Sequence, residues 1–131
     1  MGTRPRGVPP QYSFMNTHHQ LQVWQHARRL VAVVYLLTKK LPSGERFVAV
    51  PQLRRAAWSV QNNIAEGNAK LGRPEMRRLF DVAIGSLAEV DAMLTTLGDL
   101  YPLDPVLVAE ASNLRQSITG RLFAMLRTRR R

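Results

Sequence analysis

Cysteine is absent from this 131-residue chain, which removes disulfides, thiolate metal sites and thiol nucleophiles together and points to a reducing compartment. A membrane-spanning run is missing as well. The apolar stretch over residues 30–37 falls far short of the ~20 residues that cross a bilayer, and no apolar signal-peptide core stands near the start. Arg6 occupies the place where a myristoylation motif opening on Met1-Gly2 needs Ser or Thr. A cytoplasmic protein without a membrane partner is expected. Histidine is scarce: His18, His19 and His26 are the only imidazoles. His19 and His26 share a helical face but stand two turns apart, too far for one metal on a straight helix. The Glu-x-x-His pairs of di-metal bundles do not occur, nor does a Gly-rich phosphate loop or a nucleophile elbow. Glu89 and Asp91 lie two residues apart and face different sides of a helix. No catalytic, cofactor-binding or metal-binding residue is assigned, and no enzyme activity is expected.

One further absence is informative. Between Arg78 and Arg115 there is no Lys or Arg, while Asp81, Glu89, Asp91, Asp99, Asp104 and Glu110 all fall there. All 19 basic residues and only three of the nine acidic ones lie outside that interval, so the net +10 divides into +16 against −6. A polyanion is the natural partner of the basic part.

No alternating strand pattern competes with helical periodicity, and 131 residues suit one domain with a real core. Residues 1–15 hold a Pro/Gly-rich segment that reads as a flexible arm, and residues 127–131 an Arg-rich tail, leaving 16–126 for the folded unit. A first helix is expected after Asn16 or Thr17, ending at Leu41 before Pro42. A second runs from about Pro51 to between Gly67 and Leu71, and a third from Pro74 to Tyr101 along a heptad-like seam that includes Met76, Phe80, Ala83, Leu87 and Val90. Asp104-Pro105 opens a fourth. Four helices with short turns make an all-α, antiparallel up-down-up-down bundle the economical architecture.

In a hairpin about Leu71-Gly72, residues whose numbers sum to about 143 come level. Arg54 then faces Glu89, and Glu66 faces Arg77 or Arg73. Gly85 and Ser86 come level with Trp58 and Ala57, where small side chains would let the helices approach, while Asn62 and Asn63 meet Asp81 and Phe80 and can hydrogen-bond across.

Trp24 with Ala27, Tyr35 with Thr38 and Pro42, the run Gln52-Leu53-Arg54-Arg55-Ala56, the run Asn63-Ile64-Ala65-Glu66-Gly67, and Ala83-x-Gly85-Ser86-Leu87-x-Glu89 occur in this order. As a set they resemble the four-helix-bundle family encoded by intervening sequences of bacterial large-subunit ribosomal RNA genes. That family is similar to the accessory variability determinant proteins of diversity-generating retroelements. The resemblance covers about residues 21–120. It implies a homo-oligomer, typically a pentamer, with a nucleic-acid or reverse-transcriptase partner and no catalytic activity.

Residues 30–37 are apolar on every side of two helical turns, where a helix of an isolated bundle keeps a polar outer face. A closed homo-oligomer is therefore expected, with Val33, Leu36, Leu37, Trp58, Leu79 and Met93 buried between subunits; the arm folding back is the other cover. The up-down order brings Lys70, Arg73, Arg77 and Arg78 to the same end as Arg121, Arg127, Arg129, Arg130 and Arg131, a basic pole for the phosphates of RNA or DNA. A protein-binding scaffold or adaptor, for example for a reverse transcriptase, stays open as the other reading.

Overall fold

Proline and glycine divide the chain much as the sequence suggests. The computed structural model describes residues 21–128, which form α1 (Gln22–Thr38), a 3-10 turn (Ser43–Glu45), α2 (Ala49–Ala69), α3 (Arg73–Leu100) and α4 (Pro105–Thr128). No strand occurs among the described residues. The arm at 1–15, the proposed caps Asn16 and Thr17, and Arg129 to Arg131 lie outside them.

The ends follow local chemistry. α1 stops at Thr38, three residues short of Leu41; the Leu41 N–H closes a tight turn onto the Thr38 carbonyl, and Pro42 disfavours helical backbone at Leu41. α2 begins two residues before Pro51, which a first helical turn accepts because its N–H groups have no partner within the helix. α2 ends at Ala69, between the expected limits of Gly67 and Leu71, and leaves Leu71 in the turn and 71% exposed. Asp104 behaves as expected: its Oδ1 accepts from the N–H groups of Val106 at 2.9 Å and Leu107 at 3.3 Å and caps α4.

α2 packs closely on α3, α1 packs on both α2 and α4, and α3 meets α4 more sparsely. The shared interior holds Leu30 and Val34 from α1, Leu53, Val60 and Ile64 from α2, Phe80, Leu87 and Val90 from α3, and Ile118 and Leu122 from α4. The two neighbours of α1 correct the reading of residues 30–37. Val33 and Leu37 are buried within the single chain, so the apolar breadth of this helix serves two packing faces rather than a surface that needs a further cover.

Contacts between α2 and α3 step in opposite directions along the two helices and stay within about a turn of the expected register. Gln52 Nε2 donates to Glu89 Oε2 at 3.3 Å, Ser59 and Ser86 hydroxyls lie 2.7 Å apart, and Gly67 sits against Phe80 and Leu79. The ion pairs expected there do not form. Arg54 turns toward α1, where its Nε donates to Thr38 Oγ1 at 2.9 Å, and Arg78, the neighbour of Arg77, pairs with Glu75 rather than with Glu66. The close approach is also elsewhere: a Cβ on Gly85 would meet nothing within 4 Å, whereas one on Gly67 would lie 2.7 Å from Phe80 Cε1. Asn63 donates to Ser59 of its own helix and Asn62 accepts from Gln61, so neither bridges the hairpin.

Polar links tie the other pairs. Arg29 donates through two nitrogens to both Glu110 oxygens, at 2.6 and 2.9 Å, joining α1 to α4. His26 Nδ1 and Ser117 Oγ, 2.8 Å apart, repeat the link further along. The Tyr101 hydroxyl donates to Glu45 Oε2 at 2.6 Å, fastening the end of α3 to the 3-10 turn and raising the phenol's pKa.

Two glycines give opposite outcomes on thermal melting. Gly67→Ala should lose about 1–3 kcal/mol, since a buried ring must give way, while Gly85→Ala should gain up to about 1 kcal/mol from helix propensity alone. Equal effects would show that Gly67 is not the contact that seats the helices. At the α1–α4 link, the hydrogen bond from Arg29 holds the Glu110 carboxyl below the usual carboxylate range. The pair therefore stabilises at and above that range and fades as pH falls through the lowered value. Glu110→Gln should cost no more than about 1 kcal/mol in chemical denaturation, because the pair is partly exposed, and the difference from wild type should vanish in acid.

Candidate nucleic-acid interface

Four cationic side chains surround the turn between α2 and α3. Lys70 follows the last residue of α2 in extended backbone, its N–H on the Gly67 carbonyl, while Arg73, Arg77 and Arg78 rise from the first two turns of α3. Lys70, Arg77 and Arg78 are exposed and Arg73 is half-buried. Their charge is partly answered locally: Arg78 lies 3.1 Å from Glu75, and their hydrogen bond lowers the Glu75 pKa and raises that of Arg78. On α4, Arg121 and Arg127 are exposed, with Arg121 Nε donating to Ser117 Oγ at 3.3 Å. The structure records no hydrogen bond or ion pair joining these two groups.

Of the six residues expected between subunits, Val33, Leu37 and Leu79 are buried inside this chain. Leu36 and Met93 are half-buried. Trp58 is 42% exposed and remains on the surface.

A second cluster escaped the sequence reading. Thr38, buried at the end of α1, donates its hydroxyl to the Val34 carbonyl at 2.8 Å and receives the Arg54 Nε–H. The Arg54 guanidinium lies 4.1 Å from the centre of the Tyr35 ring, within cation–π range. The Tyr35 hydroxyl accepts the Trp58 indole N–H at 3.0 Å. A core backbone carbonyl, a buried hydroxyl, a guanidinium and two rings thus form one chain of contacts across α1 and α2. Their spacing was a usable signal: Tyr35 and Thr38 are three apart and Arg54 and Trp58 four apart, so each pair shares a helical face.

Beside these rings runs an open groove lined by Trp24, Arg28, Ala32, Tyr35, Trp58 and Gln61 among others. Arg28 stands over the Trp24 ring at 5.9 Å. Among the described residues no group of three or more His, Asp or Glu is placed to hold a metal, and no helix is long and apolar enough to cross a membrane. The arrangement offers positive charge and aromatic faces.

Comparison with curated proteins returned no match. The family model described as 23S rRNA-intervening sequence protein matches residues 19–124, which include all of α1, α2 and α3 and most of α4. By that match across the greater part of its length, the chain belongs to the 23S rRNA-intervening sequence protein family.

Proposed function

We propose that this chain is a non-enzymatic, cytoplasmic nucleic-acid-binding protein: an up-down-up-down bundle that assembles into a closed homo-oligomer and holds RNA or DNA by its phosphates. The observation that carries this reading is the charge segregation, with every Lys and Arg outside the interval from residue 79 to 114 and six of nine acidic residues inside it. The opposed stepping of α2 against α3, and of Arg29 and His26 against Glu110 and Ser117, supports the up-down order. In that order Lys70, Arg73, Arg77 and Arg78 share an end with Arg121 and Arg127; Arg129 to Arg131, which the proposal adds to this pole, lie outside the described residues. Repetition of such a pole around a ring multiplies weak phosphate contacts through effective concentration. The family resemblance favours five subunits. Val82 and Leu100, both exposed, and the half-buried Met93 form an outer flank of α3 suited to contact between copies.

Binding of RNA or DNA, followed by fluorescence anisotropy, should weaken steeply with salt. Removing residues 127–131, which carry four Arg, should lower the slope of log affinity against log salt by about 3. An unchanged slope would remove the tail from the interface, and affinity for a protein partner such as a reverse transcriptase that survives high salt would favour the adaptor reading. Light scattering at micromolar concentration should give a mass several times that of one chain; a monomer mass would overturn the assembly.

A further inference from the structure

The aromatic residues of this protein are not spread evenly over its charge. Residues 21–69, which contain α1 and α2, hold seven Lys and Arg against two acidic residues, Glu45 and Glu66, and the carboxylate of Glu45 accepts a hydrogen bond from the Tyr101 hydroxyl. The same two helices carry both tryptophans, Trp24 and Trp58, together with Tyr35. An exposed aromatic with no role usually lies free on the surface. Trp58 does not: its indole N–H is held by Tyr35, Tyr35 is stacked by Arg54, and Arg54 is fixed by a hydroxyl buried in the core. The ring is held in one orientation while 42% of the residue stays open to solvent.

Taking the nucleic-acid reading above as its premise, we propose that the groove between α1 and α2 is a stacking site for single-stranded polynucleotide, with Trp58 as the platform under a base and Arg28 beside the backbone phosphates. Three features favour this occupant over a protein surface. Positive charge flanks the rings, matching a polyanion. Pre-positioned aromatic faces next to guanidinium groups suit unpaired bases, whose flat faces stack without regard to sequence. The groove has about 490 Å³ and is mostly open to solvent, so an unpaired base can reach the rings, whereas a duplex keeps its base faces inside its own stack. Gln61 at the edge supplies amide groups for base edges. The site adds stacking to the phosphate attraction of the basic pole, on a different part of the molecule.

Tyr35 acts through Trp58 and is a positioning residue, so its loss should be milder than that of the platform. The test uses an oligouridylate of about 15 nucleotides, a length that one or more such sites can cover, and the corresponding oligouridylate–oligoadenylate duplex. Helicity, melting temperature and mass by light scattering are measured for every variant. Trp58→Ala should weaken single-strand binding by roughly tenfold or more, leave duplex binding and the salt slope near wild type, and keep the assembled mass. Trp58→Phe, which retains a ring, should recover most of the affinity, and Tyr35→Phe should lose a few-fold because the indole is no longer anchored. In a Trp24→Phe background the remaining Trp58 fluorescence should be quenched by the oligouridylate. If Trp58→Ala binds the single strand as wild type does, the stacking site is wrong and the electrostatic function stands. If Trp58→Ala lowers the assembled mass, a second copy of the chain covers this face and the stacking site is equally wrong. Failure of the wild-type protein to bind any of the probes at low salt would sink the nucleic-acid function itself, and this inference with it.

Discussion

Where α2 passes over Phe80 it carries no side chain at Gly67, and the ring lies so near that an added methyl would sit 2.7 Å from Cε1 and 3.3 Å from Leu79 Cβ. Phe80 is the largest of the fully buried side chains, and it rests on bare helix backbone. This seat sets how far apart the two helices lie and which residues come level. Sliding α3 by one turn would bring a Cβ against the ring and withdraw Ser86 from Ser59 and Glu89 from Gln52. The remaining packing is built outward from that pair: α1 lies on α2, and α4 is reached through α1.

Hydrogen bonds and ion pairs at the surface repeat the apolar arrangement rather than create it. Exposed pairs such as Arg29 with Glu110 contribute at most about a kcal/mol, against about 2–3 kcal/mol for each large apolar side chain fully buried. Their use is directional. Arg54 illustrates the difference: with its stem half-buried, it takes a hydroxyl and an aromatic face on α1 instead of a carboxylate across the hairpin. That choice leaves Glu89 to Gln52 and gives the α1–α2 side an ordered cationic and aromatic surface.

Periodicity made the helices legible. The stripes on α2 and α3, the Asp104 cap and the hairpin register all follow from apolar spacing and from Pro, Gly and Asp, which act locally and are written locally. What could not be read in this way depended on which helices become neighbours. The burial of Val33 and Leu37 needs α1 to touch two partners at once, and a single helix pattern does not say how many it will meet. Gly67 and Gly85 look alike in sequence, yet only one faces a ring. Arg54 had an acidic residue level with it and an aromatic on another helix, and the rotamer decided between them. The segregation of charge was legible along the chain; the Tyr35 and Trp58 surface was not, because its members come from two helices.

Of the four helix pairs that pack along their length among the described residues, α3 and α4 meet most sparsely. Arg115 Nε lies 3.3 Å from Asp91 Oδ1 there, close enough for charge attraction yet without hydrogen-bond geometry, and it is buried. An incompletely bonded guanidinium in a sparsely packed seam lowers the cost of local opening. Amide exchange should therefore run fastest along the facing sides of these two helices, which carry most of the acidic residues. The aromatic side, built from α1 and α2, is thus set apart from the seam that opens first.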